Sequence, residues 1–149
     1  MLDAIRRLIG DSVPGTPGTH SRLHPHDVRV AACALFVELA CADGEFSEVE
    51  QARIMEILQR HFGVNEAEAT RLLAEAAAAN HDAVDHFVFT RQVVKDYDVA
   101  QRIVLAELMW RVALADGSLD GQESYLMRKL ASLLQLEPAF LAQARKKAE

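Results

Sequence analysis

Two stretches of the chain place carboxylates at a spacing that suits a hard cation. Asp43 and Gly44 are followed by Phe46 and Glu50, and Asp116 and Gly117 by Leu119 and Glu123. Asp-Gly-x-apolar-x-x-x-Glu is the order found in the second half of a calcium loop, which closes on a bidentate glutamate. The first half is missing, because Leu39 and Cys41 stand at the first and third loop positions of one copy and Val112 and Leu114 at those of the other. One copy therefore offers two carboxylates, whereas calcium takes six or more oxygens. Pooled, Asp43, Glu50, Asp116 and Glu123 could surround one or two divalent ions, calcium or magnesium, provided the fold brings the two turns together. Without a cation such a cluster would repel itself by about 1 kcal/mol per close pair even in water.

Most of the same string also reads as helix punctuation. Gly44 and Gly117 suit the left-handed position just past a helix end. Ser47 with Glu50, and Asp120 with Glu123, have the spacing of a capping box, and Phe46 and Leu119 sit where a hydrophobic staple would. Asp43 and Asp116 are the exception. A carboxylate at a helix C-terminus faces the negative end of the helix dipole and costs up to about 1 kcal/mol without compensation. A bound cation or a nearby arginine would offset it.

The elements that must position these residues are helices. From Asp27 to Glu137 the chain has no proline, and its only glycines there are Gly44, Gly63, Gly117 and Gly121. No alternating Val/Ile/Thr run appears, so the expected class is all-α. Helices are expected from Asp27 to Asp43, Glu48 to Phe62, Asn65 to about Asn80, Asp82 to about Lys95, Asp98 to Ala115, Gln122 to Leu134, and onward from Pro138. The first and the fifth of these are apolar around most of their circumference, which makes them central. They are also related at a constant offset: Leu35, Ala40, Ala42, Asp43, Gly44 and Glu50 fall on Leu108, Ala113, Ala115, Asp116, Gly117 and Glu123. The expectation is one compact domain over 27–149, of about seven helices, built from two pseudo-symmetric helix-turn-helix halves. Val49 and Ala52 are counted among its core residues.

Ahead of it, residues 1–26 read as a short amphipathic helix and a tether. Leu2, Ile5, Leu8 and Ile9 lie to one side of Met1–Ile9, with Arg6 and Arg7 on the other. Residues 10–26 hold Gly10, Gly15, Gly18, Pro14, Pro17 and Pro25, the composition of a flexible linker. The short helix packs on the domain or on a partner, or lies on a membrane surface.

Composition narrows the function. Half the residues are hydrophobic, 26% are charged and the net charge is −6, which excludes disorder and argues against a broad nucleic-acid or anionic-lipid footprint. No stretch is apolar enough to span a bilayer. Cys33 and Cys41, eight positions apart on one helix, would sit about 12 Å apart, too far for a disulfide, and the cysteine usage suggests the cytoplasm. His20, His24 and His26 fall in the tether. Asp82 and His86 are four apart on the expected fourth helix, and His61 stands where a cation would compensate a helix dipole. No HExxH, GxSxG, P-loop or GxGxxG motif occurs, so the common catalytic constellations lack support.

Phe89-Thr90-Arg91, Arg102, the run Leu108-Met109-Trp110-Arg111-Val112-Ala113-Leu114-Ala115-Asp116-Gly117 with Glu123, and Ala42-Asp43-Gly44 with Glu50 together resemble the tellurite-resistance TerB family. A domain of this family also occurs in DnaJ-like co-chaperones. The resemblance spans roughly Val28 to Arg145. It implies an all-helical domain of two related halves with an acidic, cation-binding surface at the repeated turns. It further implies a bacterial stress-response setting, protein partners that are membrane-associated or cytoplasmic, and no enzymatic reaction. The expectation is a non-enzymatic interaction module with Asp43, Glu50, Asp116 and Glu123 as metal ligands. Two alternatives stand beside it: a purely structural helical adaptor, and a hydrolase holding catalytic magnesium or manganese in the carboxylate cluster.

Overall fold

A computed structural model describes residues 28–42, 44, 46–83, 87–115 and 121–149, the backbone alone for 121–123. Seven helices are found among them: α1 (Val28–Ala40), α2 (Glu48–His61), α3 (Glu66–Asp82), α4 (Phe87–Asp96), α5 (Val99–Ala113), α6 (Gly121–Leu133) and α7 (Pro138–Ala148). No strand occurs among the described residues. The amphipathic segment Met1–Ile9 and the linker up to Asp27 lie outside them.

The helix starts follow local chemistry. Ser47, Asn65 and Asp98 cap α2, α3 and α5, each with a reciprocal bond from the side chain three residues on, Glu50, Glu68 and Gln101. Pro138 enters α7 in its first turn. Gly63, with φ of 66°, follows the end of α2 in the left-handed region that glycine adopts without strain. Gln135 takes the same region after α6 with φ of 59°. There the amide of Leu136 donates to the Ala131 carbonyl and that of Gln135 to the Ser132 carbonyl, a Schellman ending built on a non-glycine residue.

Two helices carry the core. Along α1 every residue from Arg29 to Ala40 except Glu38 is buried, and α5 buries both faces from Gln101 to Ala113. The small residues Ala31, Ala32, Cys33 and Ala34 on α1 are each 1% exposed or less, which lets neighbouring helices approach closely. α1 packs mainly on α3 and α4, α5 mainly on α7, and α1 and α5 pack on each other. Contacts cross between the halves in matching fashion: α2 touches α5, and α6 touches α1. This reciprocity about the α1–α5 pair is the pseudo-symmetry expected from the repeated sequence.

Some boundaries and burials differ from the sequence reading. Asp82 ends α3 instead of opening the next helix, and the described part of α4 is Phe87–Asp96; the Asp82–His86 pairing involves His86, which lies outside the described residues. Val49 is 54% exposed and Ala52 is also exposed. The inward face of α2 is Glu50, Ile54, Ile57 and Leu58, and packing that face against the core turns Val49 outward. Cys33 is buried and Cys41 exposed, and neither is in a disulfide.

Candidate functional site

The two repeated turns leave their helices in the same way. After α1 the amide of Cys41 donates to Val37 at 2.9 Å and that of Ala42 to Leu39 at 3.2 Å; after α5 the amide of Leu114 donates to Trp110 at 2.9 Å and that of Ala115 to Val112 at 3.2 Å. Cys41 corresponds to Leu114 and Ala42 to Ala115 in the repeat. The chain re-enters helix at corresponding residues too, Glu48 and Gly121. Gly44, with φ of 90°, meets nothing within 4 Å where a Cβ would stand, so backbone conformation and not space selects glycine there.

Of the four expected ligands, Glu50 is the one whose side chain is described. Asp43, Asp116 and the side chain of Glu123 lie outside the described residues, as do Leu119, Asp120, His20, His24 and His26. Glu50 is 4% exposed at the N-terminal turn of α2. Its Oε1 accepts from the Ser47 amide at 3.1 Å and from the Ser47 hydroxyl at 2.9 Å, while the Glu50 amide donates to Ser47 Oγ at 3.1 Å. Oε2 takes no part in this box. The carboxylate also lies in the first turn of α2, at the positive end of the helix dipole. The staple expected at Phe46 is replaced by a polar closure, in which Gln51 Nε2 donates to the Phe46 carbonyl at 3.2 Å. Phe46 still packs its ring against the core. Among the described residues no group of three His, Cys, Asp or Glu side chains is arranged to hold a metal.

Sequence reasoning gave no role to Arg102. It is 8% exposed, and it donates from Nε to the Tyr97 carbonyl at 3.3 Å and from Nη1 to the Leu134 carbonyl at 2.7 Å. An arginine near the start of a helix that is apolar around most of its circumference was the available signal. His61 does lie in the last turn of α2, yet desolvation, with Arg111 and Arg60 adding repulsion against the opposing Glu107 and Glu56, lowers its pKa. It therefore favours the neutral form and supplies no cation to the α2 terminus at neutral pH. The positive charge in that turn belongs to Arg60, paired with Glu56 at 3.4 Å, and Arg111, paired with Glu107 at 3.1 Å, adds its own nearby. Arg145, in the basic last turn of α7, lies 5.1 Å over the Trp110 ring and pairs with Glu149 at 3.2 Å.

The described residues form an all-helical domain whose two central helices end alike and whose chain re-enters helix at equivalent residues, in the first half on a Ser47–Glu50 capping box. A family model described as tellurite resistance protein TerB matches residues 29–146. The chain belongs to the TerB family. No curated protein and no solved structure matches it. No helix among the described residues is long and apolar enough to cross a membrane.

Proposed function

We propose that this TerB-family module binds a divalent cation, calcium or magnesium, at its paired turns through Asp43, Glu50, Asp116 and Glu123, and that it acts by docking a protein partner and not by catalysis. One observation carries the reading: both central helices end with the same hydrogen bonds and the chain re-enters helix at equivalent residues, with an aspartate directly after each ending. A fold that repeats an unfavourable charge at a helix C-terminus needs something to offset it. Glu50 is suited to the role because one oxygen fixes the carboxylate in the cap while the other stays outside it. The resemblance to co-chaperone domains and the net charge of −6 favour a partner with a basic surface, membrane-associated or cytoplasmic.

A second reading is favoured by the completed Ser47–Glu50 box, which gives Glu50 a structural task without any ion. Calorimetric titration and thermal melts of chelator-stripped protein with calcium, magnesium, manganese and zinc separate the two. A ligand at 100 times its Kd that binds only the folded chain adds about 2.7 kcal/mol. The cation reading expects such a shift and its loss in Asp43→Asn/Asp116→Asn. No shift at millimolar metal leaves a structural adaptor.

A further inference from the structure

A groove of about 480 Å³ opens between α1, α3 and α4. Its accessible apolar lining is Ala78, Ala79 and Ala83 at the end of α3 and Val88 of α4, above the buried Val30 and Ala31 of α1, and Glu75 and Asp82 also line it. Val88 is 39% exposed. An apolar trough with acidic residues in its lining selects an occupant with an apolar stripe flanked by positive charge.

The chain carries such an occupant. We infer that Met1–Ile9 docks in this groove of its own domain, placing Leu2, Ile5, Leu8 and Ile9 against the apolar lining and setting Arg6, at the edge of that helical face, within reach of Glu75 and Asp82. The connection is short. Residues 10–27 lead into α1 at Val28, two residues from Val30 beneath the groove. A linker of that length has a root-mean-square span of about 23 Å, and short flexible linkers hold the tethered segment at a local concentration of order 1 mM. A contact too weak to survive between separate molecules is thus sufficient within one. Nine residues are too few for a stable free helix in water, so burial in the groove supplies what the isolated segment lacks. The groove lies on the first half of the domain, and the inference does not depend on cation binding.

The experiment uses the full chain, with methyl spectra of Val30, Ala31, Ala79 and Val88 as the readout. Leu2→Ser/Ile5→Ser/Leu8→Ser/Ile9→Ser lies outside the residues matched by the TerB family and leaves the fold intact, which retained dispersion of the core methyls verifies. The expected result is a shift of the groove methyls between wild type and this variant, the same at every protein concentration. Arg6→Glu should produce the same loss, and adding Glu75→Arg/Asp82→Arg to it should restore the wild-type positions. Identical groove methyls in wild type and variant overturn the inference. Shifts that grow with protein concentration also overturn it, in favour of a second copy's segment. Wild-type binding to vesicles of phosphatidylglycerol, abolished in the serine variant while the groove methyls stay equal, overturns it in favour of a membrane.

Discussion

Arg102 Nη1 donates to the carbonyl oxygen of Leu134 across 2.7 Å of protein interior. The bond links the first turns of α5 to the residue that ends α6, and the Nε bond to Tyr97 draws in the end of α4. A helix leaves its last carbonyls without intrahelical partners, and here a cation from another helix satisfies one of them. Arg102→Met keeps most of the apolar stem but strands both carbonyls. At about 1.5–3 kcal/mol per charge-assisted bond, loss of the two should cost roughly 3–6 kcal/mol, toward the lower end because the Nε bond is long at 3.3 Å, measured by urea unfolding. Arg102→Lys, which cannot span both acceptors with a fork, should recover part of the loss.

Gln135 occupies the left-handed region with a side chain that disfavours it. Gln135→Gly should raise stability by about 0.5–1 kcal/mol, since the relief of strain exceeds the added freedom of the unfolded chain. Gln135→Ala, which keeps the Cβ, should give no comparable gain. Denaturation midpoints of the two variants test this directly.

The role of Glu50 in the α2 cap can be separated by mutation from the ligand role proposed for it. Ser47→Ala removes the acceptor for the Glu50 amide and should cost about 1 kcal/mol. Glu50→Gln keeps an acceptor for the Ser47 amide and should cost less, yet it removes a charge from the proposed cation site and should weaken calcium binding at least tenfold. A titration in which Glu50→Gln binds as wild type would assign this residue to the cap alone.

His61 makes stability depend on pH in one direction. Its folded pKa lies below the ordinary value, chiefly through desolvation, so the folded chain holds fewer protons than the unfolded chain below about pH 6.5. Stability is therefore full above that pH and falls as acidification proceeds toward the folded pKa. Urea midpoints between pH 5 and 7.5 should show this decline, and His61→Gln should flatten it.

The two thiols should differ sharply. Burial pushes the Cys33 thiol up, whereas Cys41 is exposed past the end of α1. A thiol reagent at pH 8 should modify Cys41 in the native protein and reach Cys33 only on unfolding. Fast native reaction of both would mean that α1 opens readily.

Helix number, caps and the duplication were legible because each rests on near neighbours in the chain. Ser47 and Glu50, Asn65 and Glu68, and Asp98 and Gln101 declare their helix starts within four residues, and the Ala40 and Ala113 endings repeat because the strings around them repeat. The apolar circumference of α1 and α5 likewise announced that both would be buried. Burial of a particular side chain was less legible. Val49 is as apolar as Ile54, and only the phase of α2 against its neighbours turns one outward and the other in.

The linear order of residues was therefore enough to establish an all-helical chain of two related halves, because hydrophobic spacing and capping act over one or two turns. Packing had to settle the rest. Arg102 meets Leu134, Arg145 covers Trp110, and Val30, Ala79 and Val88 form one groove. Each of these depends on helices far apart in sequence being set side by side, and the free energy that sets them there comes from burying α1 and α5 against all the others, a property of the whole core that no local stretch contains.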